Sequence, residues 1–188
     1  TLPISNQTDG DIIRFLDNAV KIRCVMNWDT DGDNELSKAE AAKVTSLDHL
    51  FEECDAIVAF DELKYFTGLT EIEPDAFGEA HNLHKITLPE SIKSIGEWAF
   101  AACYRLKQLN INEGVTKIGC GAFEGCRSLK SITIPGSVED IQVKYKEYYD
   151  DGEFDINYEN PFEDCYSLEA IYSPYASDGR SLIMDNTL

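Results

Sequence analysis

From Phe77 onward the apolar positions recur at a fixed interval. Phe77, Phe100 and Phe123 are 23 residues apart, as are Leu83, Leu106 and Leu129; Ile86, Leu109 and Ile132; Leu88, Ile111 and Ile134; and Ile95, Ile118 and Ile141. The pattern restarts at Phe162, 39 residues after Phe123, which is one period plus 16. Upstream, Phe60, Leu63, Tyr65, Leu69 and Ile72 fall in the same register as a degenerate first copy. A unit this short has too little apolar edge to fold alone, so copies are expected to stack and share one continuous core. Within each copy, "HKITL" and "KSITI" alternate, predicting a short strand with Leu and Ile inward and Lys, Ser and Thr outward. In "AFAAC" and "AFEGC" the Phe and Cys stand three apart, so a helical turn would aim both at the core.

Before the array the period changes. Ile12, Phe15, Ala19, Ile22 and Met26 step by three and four, and Ile13, Leu16, Val20 and Cys24 form an adjoining row. Together they predict one helix with a broad apolar stripe. It leads into "WDTDGDNELSKAE", where acids crowd. Counting from Asp29, loop positions 1, 3 and 5 are Asp29, Asp31 and Asp33, position 7 is Glu35 through its carbonyl, position 9 is Ser37 and position 12 is Glu40. That spacing supplies the oxygens a calcium ion takes, with Leu36 as an apolar anchor at position 8. Position 6 is Asn34 where such loops have Gly, and Asn tolerates the left-handed backbone required there. Ser37 and Glu40 also form a capping box, which alone would explain a capped helix without metal. It would leave the crowding of three aspartates unexplained, since unneutralised carboxylates repel. The expectation is a helix–loop–helix with structural Ca2+.

"AFEGCRSLKSITIPGSVEDI", Ala122–Ile141, resembles the BspA-type leucine-rich repeat family, whose pattern is AFxGCxSLxxIxIPxSVxxIG. The resemblance runs from about Phe60 to the end of the chain, with Ala80 in place of Cys and Asn112 in place of Pro. It implies a right-handed β-rich solenoid of an exported protein at the cell surface or outer envelope, of a kind serving as an adhesin or binding surface. The acidic loop is similar to the single EF-hand-like, dockerin-like loop that precedes some arrays of this family. The fold class expected is therefore α+β, a leucine-rich repeat solenoid of 23-residue repeats with an N-terminal helix–loop–helix cap. Residues 1–56 make the EF-hand-like cap and 57–188 the solenoid, interrupted by a hairpin insertion at about 142–160.

That insertion, "QVKYKEYYDDGEFDINYENP", centres on an Asp151-Gly152 turn signal. A two-residue loop there pairs Tyr149 with Phe154, Glu147 with Ile156, Tyr145 with Tyr158 and Lys144 with Glu159. Its tyrosines, Tyr145, Tyr148 and Tyr149, serve either as a recognition surface or as aromatic cover for the solenoid flank. Cys103, Cys126 and Cys165 share one repeat position and are expected as buried free thiols. Cys24 and Cys54 are placed in the cap core. Cys120, at the position of Glu97 one copy earlier, is expected to be exposed and quick to react. His81 and His84 align with Tyr104, Lys107, Arg127 and Lys130, all read as surface positions.

Charge narrows the partners. The chain of 188 residues has a net charge of −19, with 12 acids and 5 bases in residues 1–59, 12 and 8 in 60–141, and 11 and 3 in 142–188. Such a balance disfavours nucleic acid and anionic membrane. No apolar run approaches the ~20 residues of a membrane span. The outward strand positions Lys85, Thr87, Gln108, Asn110, Ser131, Thr133 and Tyr172 are the candidate contact face for a host or bacterial surface protein or glycan. No nucleophile–base pair or phosphate loop is evident, so the reading is a non-catalytic adhesion module. The alternative is a surface hydrolase, or its accessory domain, acting on a glycan. A dockerin-like assembly would need a second calcium loop, and "DGEFDINYENPF" fails at position 12 with Phe162. The tail "YASDGRSLIMDNTL" reads as the start of another hairpin. The expectation is a fragment of a longer exported protein that self-associates through its truncated end.

Overall fold

The computed structural model describes residues 11–141, 144–150, 153–159 and 161–172. The expectations placed on the Asp151-Gly152 turn and on the tail lie outside the described residues. In chain order the elements are α1 (Asn18–Trp28), α2 (Lys38–Ala41), β1 (Ala59–Phe60), β2 (Glu71–Ile72), β3 (Lys85–Ile86), β4 (Ser94–Ile95), β5 (Lys117–Ile118), β6 (Ser131–Thr133), β7 (Asp140–Ile141), β8 (Lys144–Asp150), β9 (Glu153–Glu159) and β10 (Ala170–Tyr172). A 3-10 helix, Asp61–Tyr65, follows β1.

The apolar stripe beginning at Ile12 does not start a helix. Ile12 instead bridges Ser37 in antiparallel fashion, and the Ile13 N–H donates to the Leu36 carbonyl at 2.8 Å. The helix begins only at Asn18, because Asp17 Oδ1 accepts the N–H groups of Ala19 (2.8 Å) and Val20 (3.4 Å) as an N-cap. Asp17 Oδ2 meanwhile accepts the N–H of Val58 (2.6 Å) and Ala59 (3.3 Å). One carboxylate thus caps α1 and ties it to the first strand. Of the two apolar rows, Ile13, Val20 and Cys24 are buried, whereas Leu16, Ile22 and Met26 are 79%, 50% and 80% exposed. The second helix, α2, is a single turn.

The array has two strand ladders, where the sequence pattern predicts one strand per copy. The expected strand is seen in β3 and β6, with β1 pairing β3 and β10 pairing β6, both parallel. Isolated bridges Lys85–Gln108 and Asn110–Thr133 carry this ladder through the intervening rung. The second ladder, β2-β4-β5-β7, is parallel throughout and pairs Ile72, Ile95, Ile118 and Ile141 in succession. Its signal was the periodic Ile, but two-residue strands are too short for alternation to announce. Gly96 and Gly119 follow β4 and β5, where the preceding rung lies close. A Cβ at either would lie 2.5 Å from the backbone nitrogen of Pro74 or Glu97 on the preceding rung, so no side chain fits.

The first copy is offset from its expected place. Phe60 pairs with Ile86, 26 residues away, whereas Ile72 pairs with Ile95 at the regular 23. The 3-10 helix between them takes up the three additional residues. Restored to this register, "LFEECDAIVAF" is itself a repeat, with Phe51 and Cys54 in the places of Phe77 and Ala80. Phe51 stacks on Phe77, and the Glu53 N–H donates to the Gly78 carbonyl as that of Glu79 does to Ala101. Repeat geometry therefore reaches back to Phe51, ahead of residue 57, and Cys54 belongs to the array.

The core is a column. Phe51, Phe77, Phe100, Phe123 and Phe162 stack with successive centroid separations of 5.6, 5.3, 5.7 and 5.4 Å, and the last three pairs are within 6° of parallel. Beside it, the thiols of Cys103, Cys126 and Cys165 donate to the carbonyls of Phe77, Phe100 and Phe123 at 3.1–3.2 Å. The Cys side chain is thus a rung-to-rung donor as well as a small hydrophobe. All six cysteines are free and buried. Cys120 is completely buried, which corrects the exposure expected from its alignment with Glu97. At the neighbouring residue, Gly121, the Trp98 ring occupies the place a side chain would take. Downstream, β8 and β9 form an antiparallel hairpin with the register a two-residue connection dictates, Lys144 opposite Glu159 and Tyr149 opposite Phe154.

Truncating the middle of the stack, Phe100→Ala, is expected to lower unfolding stability by about 3–5 kcal/mol, measured by urea denaturation. Burial pushes the thiols of Cys103 and Cys126 far up, and that of Cys165 up to about 12. Because the thiolate is the reactive form, native-state alkylation at pH 8 should label these three, and Cys120 equally, far more slowly than unfolded chain. Labelling of any of them at the unfolded rate would contradict the column.

Candidate functional site

The acidic segment Asp29–Ser37 is a loop closed by its own carboxylates. Asp29 Oδ1 accepts the N–H of Gly32 (2.7 Å) and its Oδ2 that of Asn34 (2.9 Å). Asp31 Oδ1 accepts from Asp33 (3.2 Å) and Asp33 Oδ1 from Glu35 (2.8 Å). Gly32 and Asn34 have φ of 78° and 65°, so Asn34 does occupy the left-handed conformation that its position requires.

Glu40 gathers the two ends of the loop. Its Oε1 accepts from the N–H and hydroxyl of Thr30 (2.7 and 2.8 Å), and its Oε2 from those of Ser37 (both 2.9 Å). The Glu40 N–H returns to Ser37 Oγ, completing the capping box. Burial alone would raise the Glu40 carboxyl, but these hydrogen bonds outweigh it and hold it down at about 2. Asp31 is pushed the other way, by desolvation and by the charges of Asp33, Glu40 and Asp29, against one opposing hydrogen bond from Asp33.

Of the six candidate ligands, the structure draws three together: Asp29, Asp31 and Glu40 offer oxygens all within 4.8 Å of one another. Asp33 stands outside this group. Glu35 turns its carboxylate to Lys21 at 2.6 Å, which leaves only its backbone carbonyl for the loop. Ser37 is buried, its hydroxyl engaged with Glu40. The donors are all hard oxygens and the local charge is in excess, a set suited to a hard divalent cation and unsuited to soft-ligand metals.

The candidate contact residues lie on the other part of the molecule. Lys85, Gln108 and Ser131 form one exposed row, and Thr87, Asn110 and Thr133 a second beside it. Asp61, at the start of the 3-10 helix, caps both rows by pairing with Lys85 and accepting the Thr87 hydroxyl at 2.8 Å. Tyr172 lies on β10, paired with Thr133, and Tyr145, Tyr148 and Tyr149 lie on β8. Pattern reasoning missed Asp17 and Asp61; each is one acid among many, and its task becomes visible only once distant strands are adjacent. Among the described residues no helix is long and apolar enough to cross a membrane.

The model of the BspA type leucine-rich repeat region, in six copies, matches residues 44–149, and the chain belongs to that family. A leucine-rich repeat protein from Bacteroides ovatus aligns with a TM-score of 0.57 at 24% identity, covering 88% of this chain. This chain spans 33% of that protein's length. One from Bacteroides capillosus is 34% identical over 56% of this chain and 63% of its own, with a TM-score of 0.44. A leucine-rich cell surface protein from Faecalibacterium prausnitzii is 29% identical over 57% of this chain and 30% of its own, with a TM-score of 0.39. No curated protein sequence matches the chain.

The depressed Glu40 carboxyl sets a pH dependence. A carboxyl held below its ordinary 4.5 adds stability that is complete above that value and is lost as pH falls through about 2. The size of the displacement corresponds to roughly 3 kcal/mol. In metal-free buffer the stability gap between wild type and Glu40→Gln should therefore narrow from about pH 5 to pH 2, followed by urea midpoints. A gap constant with pH would show that Glu40 acts only through its shape.

Proposed function

We propose that this chain is a non-catalytic binding surface of an exported cell-surface protein, recognising a protein or glycan through its exposed strand positions. We propose further that its acidic loop holds a structural calcium ion. The observation that carries the first part is the pair of exposed polar rows, Lys85–Gln108–Ser131 and Thr87–Asn110–Thr133, each with one backbone bridge between rungs, Lys85–Gln108 and Asn110–Thr133. Backbone pairing fixes their spacing, so a ligand meets a preformed face and little ordering cost. Export is what the family resemblance implies. A screen against glycans and matrix proteins, run beside a panel of glycoside and peptide hydrolase substrates, tests this part. Binding weakened by Gln108→Ala with Asn110→Ala is the expected result, and turnover of any substrate by purified protein would overturn it.

For calcium, the supporting geometry is the convergence of Asp29, Asp31 and Glu40. The raised Asp31 carboxyl adds a reason, since a cation would relieve the repulsion that pushes it up. Asp33, the Glu35 carbonyl and Ser37 (through water) would complete the shell. The ion would be a lock rather than a signal. With it in place, α1, the loop and α2 act as a helix–loop–helix cap over the first rung, joined to it through Asp17 and through the Trp28–Phe66 ring contact at 5.3 Å. Calorimetry on chelator-treated protein should detect binding that falls about tenfold or more in Glu40→Gln. Calcium at a hundredfold excess over Kd should add about 2.7 kcal/mol to stability. Absence of heat, or an unchanged Glu40→Gln isotherm, would remove calcium from the proposal.

A further inference from the structure

Segment 60–141 carries eight Lys and Arg, and four of them, Arg105, Lys107, Arg127 and Lys130, gather on two adjacent rungs. Two repeat positions place them there. One is the column Asp55, His81, Tyr104, Arg127 and Tyr166, in which each side chain touches the next. His81 Nδ1 lies 2.9 Å from Asp55, its ring stacks on Tyr104 at 4.6 Å, and the Arg127 guanidinium lies over Tyr104 at 4.5 Å and over Tyr166 at 5.9 Å. The other column is Val58, His84, Lys107, Lys130 and Glu169. It is marked by backbone hydrogen bonds from His84 to Val58 (3.0 Å), Lys107 to His84 (3.4 Å) and Glu169 to Lys130 (2.8 Å). Arg105 stands between the two columns. All four cations are exposed. Among the described residues the ion pairs involve other cations, so Arg105, Lys107 and Lys130 have no carboxylate partner. Asp55 and Glu169 bound the cluster at either end, so the positive area is confined to the two middle rungs.

Cations kept together without a carboxylate partner among the described residues, on a chain of net charge −19, are the feature to explain. We infer that this cluster is the contact site for an anionic polysaccharide, whose carboxylate or sulfate groups meet Arg105, Lys107, Arg127 and Lys130. Rungs about 4.8 Å apart set successive cations at a regular spacing, which suits a polymer that itself bears charge at intervals. Stacking on Tyr104 holds the planar Arg127 fork in place while leaving its donors for two oxygens of one carboxylate or sulfate. The Tyr166 ring, 70% exposed, extends the site with an apolar face for a sugar ring. Nucleic acid fits less well, because both faces of Tyr104 are covered by His81 and Arg127 and so give no base a stacking platform. An acidic protein surface would want a desolvated anchor at its centre, and this cluster is charged and wet. The acidic remainder of the chain is screened beyond about 8 Å at physiological salt, so the local charges govern contact and make it salt-sensitive.

This inference rests on the reading of the array as a binding surface and adds the chemistry of the ligand. Binding of the full chain is measured to heparin as sulfate probe, polygalacturonate as carboxylate probe, poly-glutamate, single-stranded DNA and neutral dextran. The expected result is binding to at least one anionic glycan that weakens as salt rises, with dextran, poly-glutamate and DNA bound far less. Lys107→Glu with Lys130→Glu should weaken it about tenfold or more, while Lys93→Glu with Lys117→Glu, just before β4 and at the start of β5 in the second ladder, should leave it unchanged. Circular dichroism of both variants keeps loss of fold apart from loss of contact, and the salt series on wild type needs no variant. Failure to bind either anionic glycan, equal loss in the two double variants, or equal affinity for poly-glutamate, DNA or dextran would overturn the inference. Were the broader screen to find a ligand whose binding the Lys107/Lys130 reversal leaves intact, this site would fall and the binding-surface reading would stand.

Discussion

Each rung must offer the next a backbone edge and an apolar column at the same advance, because neither is satisfied within the rung itself. The amide of each AF turn makes this concrete. Phe77 donates to Ala99, Phe100 to Ala122 and Phe123 to Pro161, each at 2.7–2.8 Å, while the Phe rings stack alongside. Hydrogen bond and stack impose the same step, so neither adjusts without the other. Where the chain carries more residues than the step allows, the surplus leaves the ladder. Three go into the 3-10 helix after Phe60, and sixteen into the segment that includes the β8–β9 hairpin, after which Ala170 still pairs with Ser131.

That constraint explains which parts of the fold were legible. The core positions repeat because the step does, so the period of 23, the inward Phe, Leu and Ile, and the thiol column could be read from the chain. Where the step is broken the reading slips: extending the period backward put Phe60 opposite Leu83, when the added residues of the 3-10 helix put it opposite Ile86. The "LFEEC" turn was overlooked for the same reason. The second ladder escaped notice because two residues per strand give alternation nothing to act on, even though Ile95, Ile118 and Ile141 marked it. Cys120 misled because equivalence in the repeat does not carry equivalence of burial: it is completely buried where Glu97, one copy earlier, is half-buried.

The acidic loop was legible in a different way. Its spacing named six ligands, of which Asp29, Asp31 and Glu40 lie together, and Asn34 took the backbone conformation its position needs. What spacing could not express is competition among acceptors. Asp29 and Asp33 are partly used by loop amides, Glu35 by Lys21, and Ser37 by Glu40. The helix before the loop was mislocated because apolar period alone does not see Asp17, whose carboxylate stops the extended segment and starts α1. Ile13, Val20 and Cys24 then face the core, and Leu16, Ile22 and Met26 do not.

A ladder that fixes the inward residues leaves the outward ones nearly independent of folding. At one repeat position the chain carries Asp55, His81, Tyr104, Arg127 and Tyr166, four different chemistries on five rungs whose buried Phe is constant. Exchanging any of them changes surface contacts worth little to stability, while the rungs hold their spacing for whatever is displayed. The ordering of such side chains against each other, Arg127 on Tyr104 and His81 between Asp55 and Tyr104, then matters for recognition more than for the fold. It reduces the rotamer freedom a ligand would otherwise have to remove. Outward positions can therefore vary along a column without disturbing the rungs, and a column that departs in charge from the acidic average stands out from the rest of the surface. The two middle rungs, with four cations between Asp55 and Glu169, are where this departure is largest.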